Sequence, residues 1–213
     1  MSLYLGLLSG TSMDGIDACI VNLDDGEAKL IACHTTPYPD ELLSELRALM
    51  QVDAAQGMTR CARLDTWLGE AFADAAKQLI EQSGIDRSDI LAIGSHGQTL
   101  HHAPHIDHPY SLQLGDPHRI AERTRLTVVA DFRRRDIAAG GQGAPLVPPA
   151  HAALFSHPVE GRVIANIGGI ANITILPPRS DASSAVRGFD TGPGNTLMDA
   201  WAQRHLGQPY DRD

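Results

Sequence analysis

The sequence predicts a mixed α/β fold, and three observations support that prediction. Strand-like apolar runs and helical apolar patterns follow one another in the order β-β-β-α-β-α-β. Of the 213 residues, 43% are hydrophobic and 20% are charged, which excludes wholesale disorder, collagen and a coiled coil. A chain of this length can bury the core of one domain or of two small ones.

Three strands are predicted first. Residues 3–8 and 16–23 are short apolar runs typical of strands, and residues 9–15 join them. The turn signal Asp24-Asp25-Gly26 ends the second strand, and a third strand is predicted over residues 28–36. Because the connections are short, we expect these three strands to pair antiparallel.

Two helical patterns and two buried strands follow. The helices are predicted over about residues 40–50 and 60–83, and the second has five apolar side chains on one face, namely Leu64, Leu68, Phe72, Ala75 and Leu79. Short buried strands are predicted at 91–94 and 127–130. A histidine-rich loop and a helix near residues 117–124 lie between these strands.

The chain becomes rich in Gly and Pro over residues 140–149. A short helical stretch is predicted at 149–155, and a second pair of strands at 162–167 and 170–176.

Gly168 and Gly169 lie between the strands of this second pair, so a strand, a glycine turn and a strand occur twice in the chain. The repeat suggests two duplicated domains. We place the boundary near residue 158, with a first domain over 1–158 and the beginning of a second over 159–213. About 55 residues are too few to bury a core independently, so the second domain is expected to be incomplete.

Charge and cysteine content exclude several classes of protein. The chain has 17 Lys and Arg against 26 Asp and Glu, a net charge of −9, which argues against nucleic acid as the principal partner. No run of about 18 apolar residues indicates a membrane span, and the apolar N-terminal run lacks the basic segment of a secretory signal. Three cysteines without a C-x-x-C pair argue against disulfides and zinc. We therefore expect a protein of the reducing cytoplasm.

The turn at 9–15 combines two glycines, small hydroxyl residues and the carboxylate of Asp14. Glycine lets backbone amides approach a ligand closely, and hydroxyls can donate to anionic oxygens. The turn is not a Walker A loop, because it lacks Gly-Lys-Ser/Thr and no helix follows directly. An ordinary hairpin and a phosphate cradle both fit these residues.

A polar, glycine-dense loop is predicted at 188–195, and it opens into a helical pattern that contains Leu197, Met198 and Trp201. Asp190 in this segment either fixes a turn or caps the coming helix, or it is a carboxylate that orients or deprotonates a nucleophile. Asn195 has the same two alternatives, a helix cap or a ligand contact.

Two further polar segments follow predicted buried strands. Residues 131–136 carry three consecutive arginines and lead to the glycine-rich segment 140–143. These arginines form either a solvated face or, at the carboxyl end of a strand, a clamp for a carboxylate or phosphate. In the segment 95–99, Gln98 and Thr99 are candidates for hydrogen bonding a neutral polar substrate. The nearby histidines lack the Cys or carboxylate pattern of a metal site.

Six segments, taken in order, resemble the anhydro-N-acetylmuramic acid kinase family. They are residues 8–17 (LSGTSMDGID), 95–99 (SHGQT), 130–136 (ADFRRRD), 140–145 (GGQGAP), 166–169 (NIGG) and 188–195 (GFDTGPGN). Each segment alone is a weak signal, whereas all six in this order are highly specific. The resemblance extends from residue 3 to about residue 206, essentially the whole chain.

That family belongs to the actin-like, hexokinase-like ATPases. The resemblance implies an actin-like (ribonuclease H-like) α/β domain with three antiparallel N-terminal strands, then the start of a similar second domain, the two closing over ATP. It implies a cytoplasmic kinase of peptidoglycan recycling that converts 1,6-anhydro-N-acetylmuramic acid, ATP and water to N-acetylmuramic acid 6-phosphate and ADP. The amino sugar and ATP are the implied partners, and homodimers are common in the family.

The resemblance also implies which residues act. Asp190 matches the catalytic aspartate, which deprotonates a water that attacks the anomeric carbon while O6 is released toward the γ-phosphoryl group. The implied nucleotide-binding residues are Gly10, Thr11, Ser12, Met13, Asp14, Gly15, Ile16, Asp17, Gly168 and Gly169. The implied sugar-side residues are Gln98, Thr99, Arg133, Arg134, Asp136, Gly140, Gly141, Gln142, Gly143 and Asn195.

This sequence departs from the wider pattern in two ways. The superfamily usually has aspartates where Leu8 and Asn166 stand here, so Asp14, or else Asp17, is expected to hold Mg²⁺ through water. Family members also continue well beyond this point, so we expect a chain that ends at Asp213 to lack much of the nucleotide cleft. The alternatives are an inactive fragment that still binds sugar and an actin-like protein that polymerises.

Overall fold

The structure is a computed structural model that describes residues 2–10, 12–24, 28–49 and 54–211. It has the mixed α/β architecture that the sequence predicts, so this expectation is confirmed. The contacts between residues divide the chain into two compact units, Met1–Gly143 and Ala144–Asp213.

The first unit contains a six-stranded sheet. Its strands are β1 (Leu3–Ser9), β2 (Ile16–Asn22), β3 (Lys29–Thr36), β4 (Ile90–Ala103), β5 (Tyr110–Leu114) and β6 (Val128–Ala130). The order is β3-β2-β1-β4-β5, and β6 pairs with β4. The pairs β1–β2, β2–β3 and β4–β5 are antiparallel, whereas β1–β4 and β4–β6 are parallel.

Alternating burial explains why the first strands form where the sequence predicts them. Leu3, Leu5 and Leu7 of β1 are buried on one face of the sheet, and Leu5 pairs with the buried Ile20 of β2. Side chains point alternately to the two faces of a strand, so a period-2 apolar pattern makes one face of the core. Asp25, Gly26 and Thr11, which belong to the two predicted turns, lie outside the described residues.

Strand β4 is longer than the sequence indicates. A short buried strand is predicted at 91–94, followed by polar loops, but β4 runs from Ile90 to Ala103 and includes the segment 95–99. Its first part pairs with β1, its later part pairs with β5, and Gln98 lies opposite both Ser9 and Leu114. The added pairing with β5 keeps this polar, histidine-rich segment extended.

Four α-helices complete the first unit, namely α1 (Asp40–Leu49), α2 (Ala54–Ser83), α3 (Pro117–Thr124) and α4 (Phe132–Ala138). Helix α2 begins six residues before the predicted start at residue 60. Its five predicted core residues are all buried in one hydrophobic cluster with Leu42 and Leu46 of α1, which confirms that apolar face. The arginine-rich segment after β6 forms a helix, α4.

The second unit contains α5 (Pro148–Phe155), β7 (Arg162–Ile167), β8 (Ile170–Leu176), β9 (Arg187–Pro193) and α6 (Thr196–Leu206). The strands form an antiparallel sheet in the order β7-β8-β9. Helix α5 packs against β8, where His151 Nδ1 lies 2.9 Å from Thr174 Oγ1. The two units therefore divide before α5, about 15 residues ahead of the boundary placed near residue 158.

The second unit differs from the sequence prediction at β9 and buries little of its surface. The glycine-dense segment that holds Asp190 is a strand, because it pairs with β8 along its length. Among the described residues of this unit, only Thr174, Leu176 and Ala202 are buried. Within the described parts of both units, no helix is long and apolar enough to cross a membrane.

Candidate active site

The nucleotide-binding residues predicted in this region lie in the turn between β1 and β2 and at the start of β2. The described ones are Gly10, Ser12, Met13, Asp14 and Gly15 of the turn and Ile16 and Asp17 of β2. Thr11 lies outside the described residues. The Met13 amide donates to Gly10 O over 3.2 Å, and Met13 itself is buried with φ at 54°. Ser12 Oγ donates to Asp14 Oδ1 over 3.0 Å, and both of these side chains are exposed. The turn thus presents a hydroxyl and a carboxylate to solvent.

The two glycines of this turn have different surroundings. A Cβ at Gly15 would lie 2.7 Å from Thr35 Cγ2 and 3.0 Å from Thr36 O, so the backbone packs directly on β3. A Cβ at Gly10 would meet only Ser12 Oγ, at 3.6 Å. The turn is therefore anchored at Gly15 and open at Gly10, where a ligand has room to approach the backbone.

Gln98 lies beneath this turn and is only 1% exposed. Its Oε1 accepts from the hydroxyl of Tyr38 over 3.4 Å, and its Nε2 donates to Thr99 O over 3.2 Å. Burial raises the pKa of Tyr38 to about 12, so its hydroxyl stays protonated and can donate. In this arrangement the Gln98 amide is bonded to the protein, and its role as a sugar ligand stays a prediction.

Thr99 is half-buried and also has a protein partner. Its Oγ1 accepts from Gln113 Nε2 over 3.2 Å, and the same Nε2 donates to Ser111 Oγ over 2.8 Å. Thr99, Gln113 and Ser111 thus form a polar cluster across β4 and β5.

Arg133 points back toward β4 and not into solvent. Its Nε donates to His96 Nε2 over 2.9 Å, and its Nη1 donates to Gly143 O over 2.6 Å. His96 Nδ1 lies 2.9 Å from Gly97 O. Arg133 therefore connects β4 to the glycine-rich loop that follows α4.

Asp136 holds the same loop from its other side. Its Oδ2 accepts from the Gly143 amide over 2.7 Å, and its main-chain oxygen accepts from the Gly141 amide over 2.9 Å. A Cβ at Gly141 would collide with the Asp136 carboxylate, and Gly140 and Gly143 have positive φ values of 95° and 73°. These glycines are needed for the loop to fold around Asp136.

Arg134 lies on the exposed side of α4. It forms an ion pair with Asp131, with Nε donating to Oδ1 over 2.8 Å, and this hydrogen bond raises the pKa of the guanidinium. Such exposed pairs stabilise a fold by at most about 1 kcal/mol. Gln142 is also exposed. Arg133 therefore points into the protein, whereas Arg134 is exposed to solvent.

A cleft of about 620 Å³ opens in the first unit beside these residues. Asp65 of α2, Ser95 and His96 of β4, Gln113 of β5 and Arg134 are among its lining residues. Asp65 Oδ1 accepts from the Gly115 amide over 2.8 Å, and burial raises the pKa of this carboxyl. Within the part of the chain that is described, Ser95 Oγ and Gln113 Oε1 are buried polar atoms without a hydrogen-bond partner.

In the second unit, Asp190 lies on β9 opposite Asn172 of β8, and its side chain is exposed. Because it sits within a paired strand, it neither caps a helix nor closes a turn. Asn195 precedes α6, but within the described residues its side chain makes no capping hydrogen bond. For both residues ligand contact stays a prediction.

The glycine turn between β7 and β8 is bound to the start of α6. Gly168 O accepts from the Asn195 amide over 2.8 Å, and Gly169 O accepts from the Gly194 amide over 2.9 Å and from Thr196 Oγ1 over 2.5 Å. A Cβ at Gly194 would overlap Gly168 O, so only glycine fits there. The structure thus brings Gly168, Gly169 and Asn195 together.

The model of the family described as "Anhydro-N-acetylmuramic acid kinase" matches residues 2–213. The chain belongs to this family. It is 51% identical over 212 residues to the anhydro-N-acetylmuramic acid kinase of Shewanella halifaxensis and 52% identical over 212 residues to that of Shewanella amazonensis. The corresponding kinase of Xanthomonas campestris pv. campestris is 50% identical over 214 residues.

These alignments cover 99–100% of this chain but 56% of each relative. The chain therefore spans about half the length of the curated relatives it matches. Solved structures with a weaker likeness include a reductive activator for a corrinoid, iron-sulfur protein (TM-score 0.45, 12% identity, 90% of this chain and 31% of that one). Another is an Aquifex aeolicus Ppx/GppA phosphatase (TM-score 0.42, 12% identity, 94% and 55%). Structural similarities this weak support no conclusion about this chain.

In a member of the anhydro-N-acetylmuramic acid kinase family, the β1–β2 turn is where phosphates and Mg²⁺ are expected. The described residues hold no cluster of three or more His, Cys, Asp or Glu side chains that could bind a metal alone. Mg²⁺ at phosphoryl-transfer sites takes one or two carboxylates and completes its shell with phosphate and water oxygens. An exposed Asp14 beside the open backbone of Gly10 fits that requirement.

Sequence reasoning missed four residues that organise the site, namely Tyr38, Asp65, His96 and Gln113. Each acts through a partner far away in the chain, such as Gln98 for Tyr38 and Gly115 for Asp65. One signal is available for Asp65, which directly follows Leu64 of the apolar face of α2 and is therefore close to the core. His96 stands inside a quoted motif, but only the fold shows its partner.

Proposed function

We propose that this chain is the N-terminal part of an ATP-dependent kinase. The kinase opens 1,6-anhydro-N-acetylmuramic acid with water and phosphorylates O6, giving N-acetylmuramic acid 6-phosphate and ADP. The observation that carries the proposal is the family match over residues 2–213, which includes all six segments. In this proposal the two units are an actin-like ATPase domain and the beginning of a second, and the use of ATP places the reaction in the cytoplasm.

The β1–β2 turn would bind the phosphate end of the nucleotide. Its support is the open backbone at Gly10 and the exposed Ser12 hydroxyl, which would exchange its bond to Asp14 Oδ1 for one to a phosphate oxygen. Asp14 would hold Mg²⁺, and MgATP supplies the phosphoryl group when bound. Preorganised donors of this kind act mainly by positioning and by stabilising charge.

Asp190 would act on the proton of the attacking water. Its carboxylate accepts that proton as the water oxygen bonds to the anomeric carbon and the bond from that carbon to the bridging oxygen breaks. The electron pair of the broken bond stays on O6, which then bonds to the γ-phosphorus. The bond from that phosphorus to the bridging oxygen of the β-phosphate breaks at the same time, and ADP leaves with its electron pair. Exposure of Asp190 supports this role, because water can reach the carboxylate directly.

The loops of the first unit would present the sugar side. Arg133 and Asp136 hold the Gly140–Gly143 loop by its peptide groups, and Gln98 is fixed by Tyr38. In this arrangement Gln142 at the loop tip is the exposed side chain that is free to meet a substrate hydroxyl. The predicted sugar-side residues thus divide into two groups. Some fix the conformation of the protein surface through bonds to the protein, and others have exposed side chains that can contact the sugar.

A second candidate is an inactive fragment that binds the sugar but does not turn it over. Two observations favour it: the chain spans 56% of the length of its relatives, and the second unit buries only three described residues. This fragment would keep the loops of the first unit.

Product analysis separates these candidates. The chain is incubated with the anhydro sugar, MgATP and ¹⁸O-labelled water, and the product is analysed by mass spectrometry. Sugar phosphate with the label at the anomeric carbon is the expected result for the kinase. Sugar binding in calorimetry without product identifies the inactive fragment. If the chain gives no product and binds no sugar, both candidate functions are contradicted for this chain.

The matched control is Asp190→Asn, which keeps the side-chain volume and removes the base. The substitution is made in a form of the protein that gives product, whether this chain or a longer one. We expect its turnover to fall by about 10²- to 10⁴-fold. Turnover within a few-fold of the unsubstituted protein would remove Asp190 from the role of base.

A further inference from the structure

His96 is held between two groups that fix its protonation state. Its Nδ1 lies 2.9 Å from Gly97 O, and a carbonyl oxygen only accepts, so Nδ1 carries the proton. Its Nε2 lies 2.9 Å from Arg133 Nε, whose N–H only donates, so Nε2 offers a lone pair. One species satisfies both contacts, the neutral imidazole protonated at Nδ1.

Both of these partners are themselves fixed. A Cβ at Gly97 would lie 2.5 Å from Leu114 O, and Gly97 has a φ of 73°, so its backbone packs directly on β5 next to the Gln98–Leu114 pair. Arg133 Nη1 donates to Gly143 O over 2.6 Å, while the Gly143 amide donates to Asp136. Hydrogen bonds thus connect His96 through Arg133 to the carbonyl of Gly143, while Asp136 holds the amide of the same residue.

We propose that neutral His96 is a positioning residue that orients the Arg133 guanidinium against Gly143 and thereby holds the Gly140–Gly143 loop in one conformation. Its use in sugar binding rests on the proposed function. A protonated His96 would turn an N–H toward the N–H of Arg133, with a positive charge on each side. That arrangement has no acceptor, so the bond breaks and the guanidinium that donates to Gly143 O is no longer oriented by His96.

The surroundings of His96 favour its neutral form. Burial lowers the pKa of the imidazole and the charge of Arg133 lowers it further, while the contact with Gly97 O acts in the opposite direction. The other ionisable groups that line the same cleft are Cys61 and Asp65 of α2, His118 of α3, and Asp131 and Arg134. The link is therefore intact at neutral pH, and it is lost as the pH falls below the ordinary range of histidine and through the lowered pKa of His96.

Three variants test this role. His96→Gln keeps an oxygen that can accept from Arg133 but does not titrate, and His96→Phe keeps a ring without an acceptor. His118→Gln is the matched control, because His118 lines the same cleft from α3 and bonds to neither Arg133 nor Gly143 in the described contacts. Far-UV circular dichroism checks that each variant folds.

The measurements are ¹⁵N–¹H spectra of the His96 imidazole and hydrogen exchange of the Gly143 amide, between about pH 7.5 and about pH 4.5. We expect the Nδ1–H form in the unsubstituted protein and a loss of Gly143 protection of about ten- to hundredfold at the acid end. His96→Gln keeps its protection across this range, His96→Phe is poorly protected throughout, and His118→Gln behaves like the unsubstituted protein.

An Nε2–H form, or equal protection in all three variants, would overturn the role of His96. If His96→Phe does not fold, the different pH profiles of His96→Gln and the unsubstituted protein decide the question. Calorimetry with the anhydro sugar adds a separate test. Absence of sugar binding by every variant and by the unsubstituted chain would count against the proposed function, while the exchange data would still decide the role of His96.

Discussion

At the level of single residues, hydrogen-bond partners separate the predicted ligands into two groups. Gln98, Arg133 and Asp136 bond to other parts of the protein, whereas Asp14 and Asp190 are exposed. The motifs indicate all five as site residues, but a motif cannot show which side chain faces inward. That distinction depends on partners such as Tyr38 and Gly143, which only the folded chain brings near.

Tyr38 gives the first prediction at this scale, on the pH dependence of stability. Its pKa is raised from 10.0 to about 12, so above about pH 10 the unfolded chain ionises while the folded chain holds the neutral phenol. The free energy of unfolding should therefore fall by about 2–3 kcal/mol between about pH 10 and pH 12 because of this residue. Urea unfolding at about pH 9 and pH 11.5 measures the change.

The Tyr38→Phe variant should lack that part of the loss. At the lower pH it loses the 3.4 Å bond to Gln98 and the interaction of the hydroxyl with the Ser9 side chain. Tyr110→Phe is the control, because Tyr110 is exposed and its replacement should leave the loss unchanged. An equal loss in Tyr38→Phe and the unsubstituted protein would mean that other groups cause it.

At the level of elements, helix α2 contains two glycines that should respond in opposite directions to alanine. A Cβ at Gly57 meets nothing within 4 Å, so Gly57→Ala should stabilise the protein by about 0.5–1 kcal/mol through helix propensity. A Cβ at Gly69 would lie 2.7 Å from Asp116 O and 3.0 Å from Asp116 N, both of them backbone atoms. Gly69→Ala should therefore destabilise the protein by about 1–3 kcal/mol.

The two variants control for each other, because they make the same chemical change in the same helix. Urea unfolding under one set of conditions gives both values. A stabilising Gly69→Ala would show that α2 and the start of α3 are not packed as closely as the structure has them.

Helices and strands with a periodic pattern of apolar residues could be predicted from the sequence. Strands that are extended only because they pair with a neighbouring strand could not. The apolar face of α2 and the strands β7 and β8 follow from local patterns, and the bounds of the two strands match the structure. Strand β9 was expected to be a loop because glycine and proline dominate it, and its extended form comes from β8. The later part of β4 likewise owes its extension to β5.

For the whole molecule, the unequal cores of the two units lead to a prediction about fragments. The hydrophobic cluster lies in Met1–Gly143, whereas only Thr174, Leu176 and Ala202 are buried among the described residues of the other unit. Residues 1–143 alone should unfold cooperatively in urea, and residues 144–213 alone should show no cooperative transition. Circular dichroism of both fragments tests this, and a cooperative second fragment would contradict it.

The arrangement of β4 has a consequence for how the chain is made. The ribosome delivers β1, β2 and β3 first, and these can pair at once through short connections. Strand β4, the parallel partner of β1, is synthesised only after α1 and the 30-residue α2. Until then, the backbone groups on one side of β1 stay unpaired. The nascent chain thus carries an open strand edge throughout that interval, and this edge is where chaperones would protect the growing protein from aggregation.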